Sequence, residues 1–380
     1  MRARTHHIPA VGAGRVAGNR GAVTDIDRHM RVAVTGATGN VGTSVVQALS
    51  ADPTIDEIVG IARRAPALSF ARTRWVCADV ARDDLRAVFD GLDAVIHLAW
   101  LIQPSRDRTA TLAVNVNGSR RVFEAAATAG VRTLVHASSV GAYSPGPKDR
   151  RVDESWPTKG IPTSFYSRDK AEVEAILDGF ERAHPEIRVV RLRPGLIFKG
   201  DAASGIRRLF AGPLLPTPLL RRGLIAAVPA LERLSFQAVH SHDVAEAYHL
   251  ALKRDVSGAF NVAAEPVLDS PELARVLHAR QVPVSRRVLR AATDLTWKLR
   301  LQPTPPGWLD LALGVPLMDV AHAREELGWA PSRSAGDALL ELVDAMRRGD
   351  GLATAPLRPG SVGPARIGEL LTGVGARSKR

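Results

Sequence analysis

Tyr166 and Lys170, the two ends of a Tyr-Ser-Arg-Asp-Lys run, stand four residues apart in a helical pattern, so both lie on one face about a turn apart. An unperturbed tyrosine titrates near pH ~10 and is a poor base at neutrality unless a neighbouring cation stabilises the phenolate. Lys170 could supply that charge, and Tyr166 could then take or deliver the hydroxyl proton of an alcohol or ketone. Such pairs also occur on ordinary solvated helices, so this one gains weight only from its company. Upstream, a β-branched run ends Ala137-Ser138-Ser139-Val140-Gly141-Ala142-Tyr143, where strand alternation turns Ser138 and Ser139 in opposite directions.

The second chemistry-bearing run is Val34-Thr35-Gly36-Ala37-Thr38-Gly39-Asn40-Val41-Gly42, which follows a strand at once and opens a helix. Gly36 permits a tight turn, Gly39 lets backbone approach a pyrophosphate without a Cβ in the way, and Gly42 lets the helix pack closely on the sheet. The helix start, with Thr38, Asn40 and Val41, offers free N–H groups and a positive dipole end to phosphates. The strand-turn-helix context, more than the glycines, marks a dinucleotide loop and implies NAD or NADP. An acid at the end of the second strand would bind the ribose hydroxyls of NAD, but that strand ends Gly60-Ile61-Ala62-Arg63-Arg64. Arg63 or Arg64 could meet a 2′-phosphate, which tilts the reading towards NADP; both also read as solvated loop residues.

The Gly-x-x-Gly-x-x-Gly spacing with Tyr166 and Lys170 resembles the extended short-chain dehydrogenase/reductase superfamily, including its NAD-dependent epimerase/dehydratase family. The resemblance runs from about Met30 to Met346, through Arg193-Pro194-Gly195, Ala238 to Ala247 and Glu326-Leu327-Gly328-Trp329-Ala330-Pro331. It implies that Ser139 is the catalytic serine, holding the substrate oxygen against Tyr166, and that Asn115 supports Lys170 and the cofactor through a hydrogen-bond network. It further implies that Asp79 and Val80 lie near the adenine, and that Leu98 and Ala99 pass beside the cofactor while His97 is packed. Relatives pair through helices after the fourth and fifth strands, which makes a homodimer the corresponding expectation.

These groups need a frame. From Arg31 short β-branched runs alternate with amphipathic stretches: RVAVT, a helix from about Asn40, EIVGIA, TRWVCA, a helix near Asp83 to Phe89, and DAVIHLA. A helix through Val114 to Ala129, TLVHASS, a helix from Phe165 to Arg182 and RVVRLRP follow. Six such strands predict an α/β fold of Rossmann type, a doubly wound parallel sheet. The expected division is an N-terminal extension over 1–29, a dinucleotide-binding domain over 30–195, a smaller, mainly helical substrate lobe over 196–347 with 237–262 returning to the core, and a basic tail over 348–380. Helices are expected from Asp243 to Lys253, Ser270 to Arg280 and Ala335 to Met346, and Met30 is a candidate translation start.

The net charge of +12 invites a nucleic-acid reading, yet residues 1–29 and 347–380 supply +3 and +5 of it. Both ends are rich in Gly, Ala, Pro and Arg without apolar periodicity, so nucleic-acid binding is not expected. No stretch has the roughly 18 to 20 apolar residues of a spanning helix. The single Cys77 excludes an intramolecular disulfide, suits a reducing, cytoplasmic setting, and reads as a buried strand residue. His240 and His242 alternate on a strand, but no third ligand accompanies them and no metal is expected.

The resemblance implies hydride and proton transfer on an alcohol or ketone. Nucleotide-sugar relatives usually carry an Asn after the sixth strand, whereas this chain reads Pro194-Gly195-Leu196-Ile197-Phe198. Leu214, Leu215, Leu219, Leu220, Leu224 and Ile225 would line a pocket with hydrocarbon and favour a hydrophobic small molecule, although core packing explains them equally well. The alternatives are a nucleotide-sugar epimerase or dehydratase and a non-catalytic dinucleotide sensor. A hydrolase elbow around Ser139 would leave both the glycine loop and Tyr166–Lys170 unexplained.

Overall fold

The computed structural model describes residues 29–103, 105–210 and 227–359. Seven strands form one sheet: β1 (Met30–Thr35), β2 (Ile55–Ala62), β3 (Thr73–Cys77), β4 (Ala94–His97), β5 (Thr133–Ala137), β6 (Arg188–Pro194) and β7 (Gly258–Val262). Their order is β7-β6-β5-β4-β1-β2-β3, and every neighbouring pair is parallel. This is the Rossmann-type doubly wound fold, with the order reversing between β1 and β4, where such sheets open their ligand crevice.

Alternation along β1 explains the layers. Val32 and Val34 join a core with Val45, Leu49, Val244 and Tyr248 from α1 (Asn40–Ala51) and α4 (Ser241–Lys253). Ala33 joins a second core with Val122 and Phe123 of α2 (Gly118–Thr128) and Val173 and Leu177 of α3 (Phe165–Ala183). Buried on both faces, the strands read as near-continuous apolar runs rather than alternating ones.

The sheet has one strand more than the six expected, because Gly258–Val262, within the stretch expected to return to the core, pairs with β6 as β7. Ser235–His240 enters a small sheet between Leu196–Phe198 and Ala264–Asp269. The helix expected from Val114 begins earlier: Arg108–Leu112 runs through a π-turn at Ala113–Asn117 into α2. Helices Ala203–Phe210, Arg286–Lys298 and Gly307–Gly314 had no signal among the expected elements.

Cys77 corrects its expectation, being exposed at the end of edge strand β3. Residues 350–357 pack on the body although they belong to the expected tail: Ser204 Oγ donates to the Asp350 carbonyl at 2.7 Å, and Thr354 and Leu357 are buried. The apolar positions 214–225 lie outside the described residues, as do residues 1–28 and 360–380.

Candidate active site

The glycine loop is held by its neighbours on both sides. Gly36 has φ +71°, a left-handed conformation, and a Cβ there would stand 2.8 Å from the Ala99 nitrogen. Its N–H donates to the Ile61 carbonyl at 2.9 Å, and the Leu98 N–H donates to Thr35 O at 3.1 Å. The ends of β1, β2 and β4 are thereby joined, which brings Leu98 and Ala99 to the loop and leaves exposed Arg63 just past β2. A Cβ on Gly42 would meet Gly36 O at 2.3 Å, so helix and loop touch there without room for a side chain. Asp79 follows β3, where its Oδ1 accepts from the Ala81 N–H at 3.1 Å, and Val80 is buried against Gly118.

This end of α1 fits a dinucleotide. Gly39, the N-cap, has only Gly36 O near a notional Cβ, at 3.3 Å, which leaves backbone open to a phosphate. No side chain caps α1 and no acid occupies its first turn. Thr38 is buried in the turn and Val41 packs partly buried at the first turn of α1. Asn40 donates to the Ile197 carbonyl at 3.2 Å, while its buried Oδ1 has no partner among the described residues.

Ser139, Tyr166 and Lys170 come together at the ends of β5 and α3. Ser139 is extended, with φ −171° and ψ 155°, and its Oγ accepts from the Gly141 N–H at 3.0 Å. Ser138 faces the other way, donating to Glu174 at 2.5 Å, as strand alternation requires. The Tyr166 ring lies on Gly141, where a Cβ would be 2.8 Å from Cε1. The role of Gly141 in admitting the ring is invisible in the sequence. Burial pushes the Tyr166 hydroxyl above its ordinary range, and its hydrogen bond with Ser139 opposes that rise. The expected lowering by Lys170 is therefore not the governing effect in this geometry.

Lys170 is buried and donates to the Ala137 carbonyl at 2.6 Å, with its Nζ 3.5 Å from the centroid of the Trp100 ring. Burial brings its ammonium down to about 7, while Glu174 and Asp169 pull the other way. Asp169 is itself tied to Arg108 by two hydrogen bonds, at 3.0 and 2.5 Å. Asn115 sits in the π-turn and clamps the backbone of Leu101, accepting from its N–H at 2.7 Å and donating to its carbonyl at 2.9 Å. It thus fixes the loop that carries Trp100, whereas the resemblance implied a link to Lys170. π-turns recur at functional sites because they re-aim a residue inside a helix.

Two tryptophans that sequence reading did not assign complete the surroundings. Trp308, from helix Gly307–Gly314, tilts over Tyr166 with ring centroids 4.8 Å apart, and Trp100 meets its edge at 6.0 Å. Phe210 and Phe165 pack on Trp308 at 5.0 and 6.4 Å. The Nε1 atoms of Trp100 and Trp308 are buried with no partner among the described residues.

Behind the site runs a directed chain. Ser119 Oγ donates to the Asn115 carbonyl at 2.5 Å, so His97 Nε2, 2.9 Å away, must donate to Ser119. His97 Nδ1 then accepts from Thr35 Oγ1 at 2.7 Å. Burial, aided by Lys170, depresses His97 to about 3, which keeps the ring neutral. His97 is packed, as expected. His240 lies elsewhere, hydrogen-bonded by the His242 N–H and flanked by Arg333 and Glu341.

A doubly wound sheet with a glycine loop at its switch point, and a serine, a tyrosine and a lysine gathered at the ends of β5 and α3, is the arrangement that the short-chain dehydrogenase/reductase resemblance implied. The chain belongs to the NAD-dependent epimerase/dehydratase family, whose model matches residues 32–208. It is 31% identical over 223 residues to L-arabinose 1-dehydrogenase (NAD(P)(+)) of Haloferax volcanii, covering 52% of this chain and 84% of that one. An uncharacterized protein of Mycobacterium tuberculosis is 28% identical over 327 residues; the match covers 85% of this chain but only 31% of that longer protein. A solved UDP-glucuronic acid 4-epimerase from Bacillus cereus, in complex with UDP-glucuronic acid and NAD, shares the fold with a TM-score of 0.62 at 18% identity, over 84% of this chain and 99% of that one.

Proposed function

We propose that this chain is an NAD(P)-dependent oxidoreductase acting on the alcohol or ketone of a hydrophobic small molecule. The observation that carries the reading is the aromatic enclosure of Tyr166 by Trp100 and Trp308, with Ser139 hydrogen-bonded to its hydroxyl. In this reading the nicotinamide, when bound, supplies or accepts the hydride. Ser139 holds the substrate oxygen, and Tyr166 takes the hydroxyl proton during oxidation or returns it during reduction. Lys170, in its ammonium form, places positive charge beneath this exchange, held by the Ala137 carbonyl and the Trp100 face. Trp308 and Phe210 exclude water from the phenol.

The arabinose dehydrogenase relative acts on a sugar that carries no nucleotide, which supports simple oxidation over epimerisation. A nucleotide-sugar epimerase or dehydratase is the second reading, favoured by the ligand of the solved epimerase. Absence of a carboxylate at the end of β2, with Arg63 exposed there, supports use of NADP as well as NAD.

The test is turnover with NAD and NADP across apolar secondary alcohols, free sugars and UDP-sugars, with Arg63→Ala alongside. Oxidation of apolar alcohols, with NADP affinity lowered about tenfold or more in Arg63→Ala, is expected. Turnover confined to UDP-sugars would overturn the substrate reading, and unchanged NADP affinity would remove Arg63 from it.

A further inference from the structure

Helix Arg286–Lys298 buries none of its residues fully, although it carries a regular apolar stripe. Val288, Ala292, Leu295 and Leu299, the last at its C-cap, follow one another at steps of four, three and four, the spacing of a single helical face. That face points outward: Val288 is 64% exposed, Leu295 57% and Leu299 60%. The opposite face makes the attachments. Arg290 forks onto Asp310 at 2.9 and 3.0 Å, and Arg106 lies 4.3 Å over the Trp297 ring while donating to its carbonyl. The usual arrangement, apolar side in and polar side out, is therefore reversed here.

Val282 and Leu301 extend the exposed patch, so five of the six exposed large hydrophobics among the described residues fall within 282–301. Isolated exposed leucines need no explanation, but a continuous row does. Residues 280–301 also hold six basic residues against one acid, Asp294, which is paired with Lys298 at 2.5 Å. Arg287 and Lys298 are exposed on this segment, as is Arg286, which reaches Asp310 at 3.9 Å.

We propose that this helix docks the protein on an anionic membrane surface, its leucines entering the headgroup boundary and its arginines meeting lipid phosphates. An apolar face within a basic segment of a helix that spans nothing has the makeup of an interfacial helix. A second copy of the chain fits the charge less well, because a two-fold contact through this row would bring Arg287 and Lys298 against the same charges of the partner. The helix is joined to the candidate site: Gln103 and Ser105 both donate to the Pro303 carbonyl, at 3.1 and 3.0 Å, in the segment between this helix and Trp308. Docking would set the Trp308 lobe beside a source of apolar substrate.

Flotation of the full chain with vesicles of phosphatidylcholine, alone or mixed with phosphatidylglycerol, tests this. Binding to the anionic vesicles only, weakened by salt, is expected. Leu295→Glu/Leu299→Glu should lose it tenfold or more, and Arg287→Glu about tenfold, with thermal melting unchanged because these side chains are exposed. Failure to bind anionic vesicles at low salt, or equal binding by both variants, overturns the proposal. So does a wild-type dimer without vesicle binding that the leucine variant turns into a monomer.

Discussion

Trp308, on helix Gly307–Gly314, lies 4.8 Å from Tyr166, in the first turn of α3, their ring planes tilted by 34°. The two parts of the chain that must cooperate thus meet at the phenol itself. Trp308→Ala removes that cover and admits water, so kcat/KM on an apolar alcohol should fall about tenfold, roughly the worth of one buried aromatic pair. Trp308→Phe should recover most of it, and cofactor affinity should stay level in both. Steady-state kinetics beside a binding titration checks this.

His97 and His136 are both buried and stack 5.5 Å apart, yet they make opposite predictions. His97 bridges Thr35 to Ser119, so His97→Leu takes from the buried Thr35 hydroxyl its acceptor, while Ser119 keeps its bond to the Asn115 carbonyl, and should cost about 1–3 kcal/mol. His136 has no partner for either nitrogen among the described residues, and His136→Leu should cost little or stabilise. Denaturant midpoints of the two variants should separate clearly. The same His97 chain ends on the Asn115 carbonyl, so His97→Leu should also lower kcat more than it raises KM.

Glu174, on the buried face of α3, is shared by Arg191, Arg193 and Ser138, with contacts from 2.5 to 3.0 Å. Burial pushes its carboxyl up, but the hydrogen bonds and charge of Arg193, with Arg191 and Ser138, outweigh that and hold it at about 2. A carboxyl depressed in the folded state stabilises fully above its unfolded value near ~4.5, and that stabilisation is lost as pH falls towards 2. Glu174→Gln should therefore flatten the acid limb of the stability curve and cost about 3–5 kcal/mol at neutral pH, because it leaves the buried Arg193 guanidinium without its carboxylate, while Arg191 keeps Asp178 and Glu181. Chemical denaturation at pH 3, 5 and 7 reads both effects.

What the sequence made legible follows the local signals. The glycine loop was readable because one strand-turn-helix carries all its parts, and the layers because parallel strands announce themselves as apolar runs. Alternation told that Ser138 and Ser139 face apart, and the resemblance chose Ser139. The seventh strand lies in the stretch expected to return to the core, but no local signal told that it would pair with β6 across more than sixty residues of intervening chain. Trp100 and Trp308 had no periodic signature at all: one lies in a loop and the other on a short helix after a proline-rich turn. Asn115 was found by resemblance, but its attachment to Leu101 depends on a π-turn that no spacing rule encodes. Nor could spacing show that Lys170 would turn to the Ala137 carbonyl, or that burial would dominate the tyrosine's acidity.

The central claim, that the Tyr166 hydroxyl moves the substrate proton, is tested most directly by Tyr166→Phe. The variant keeps the ring on Gly141 and under Trp308, so cofactor affinity and melting temperature should match the parent chain. Turnover of the best alcohol, followed at the nicotinamide absorbance, should fall by about 10²–10⁴-fold, the usual worth of a positioned general acid or base. Turnover within a factor of about three of the parent would contradict the account.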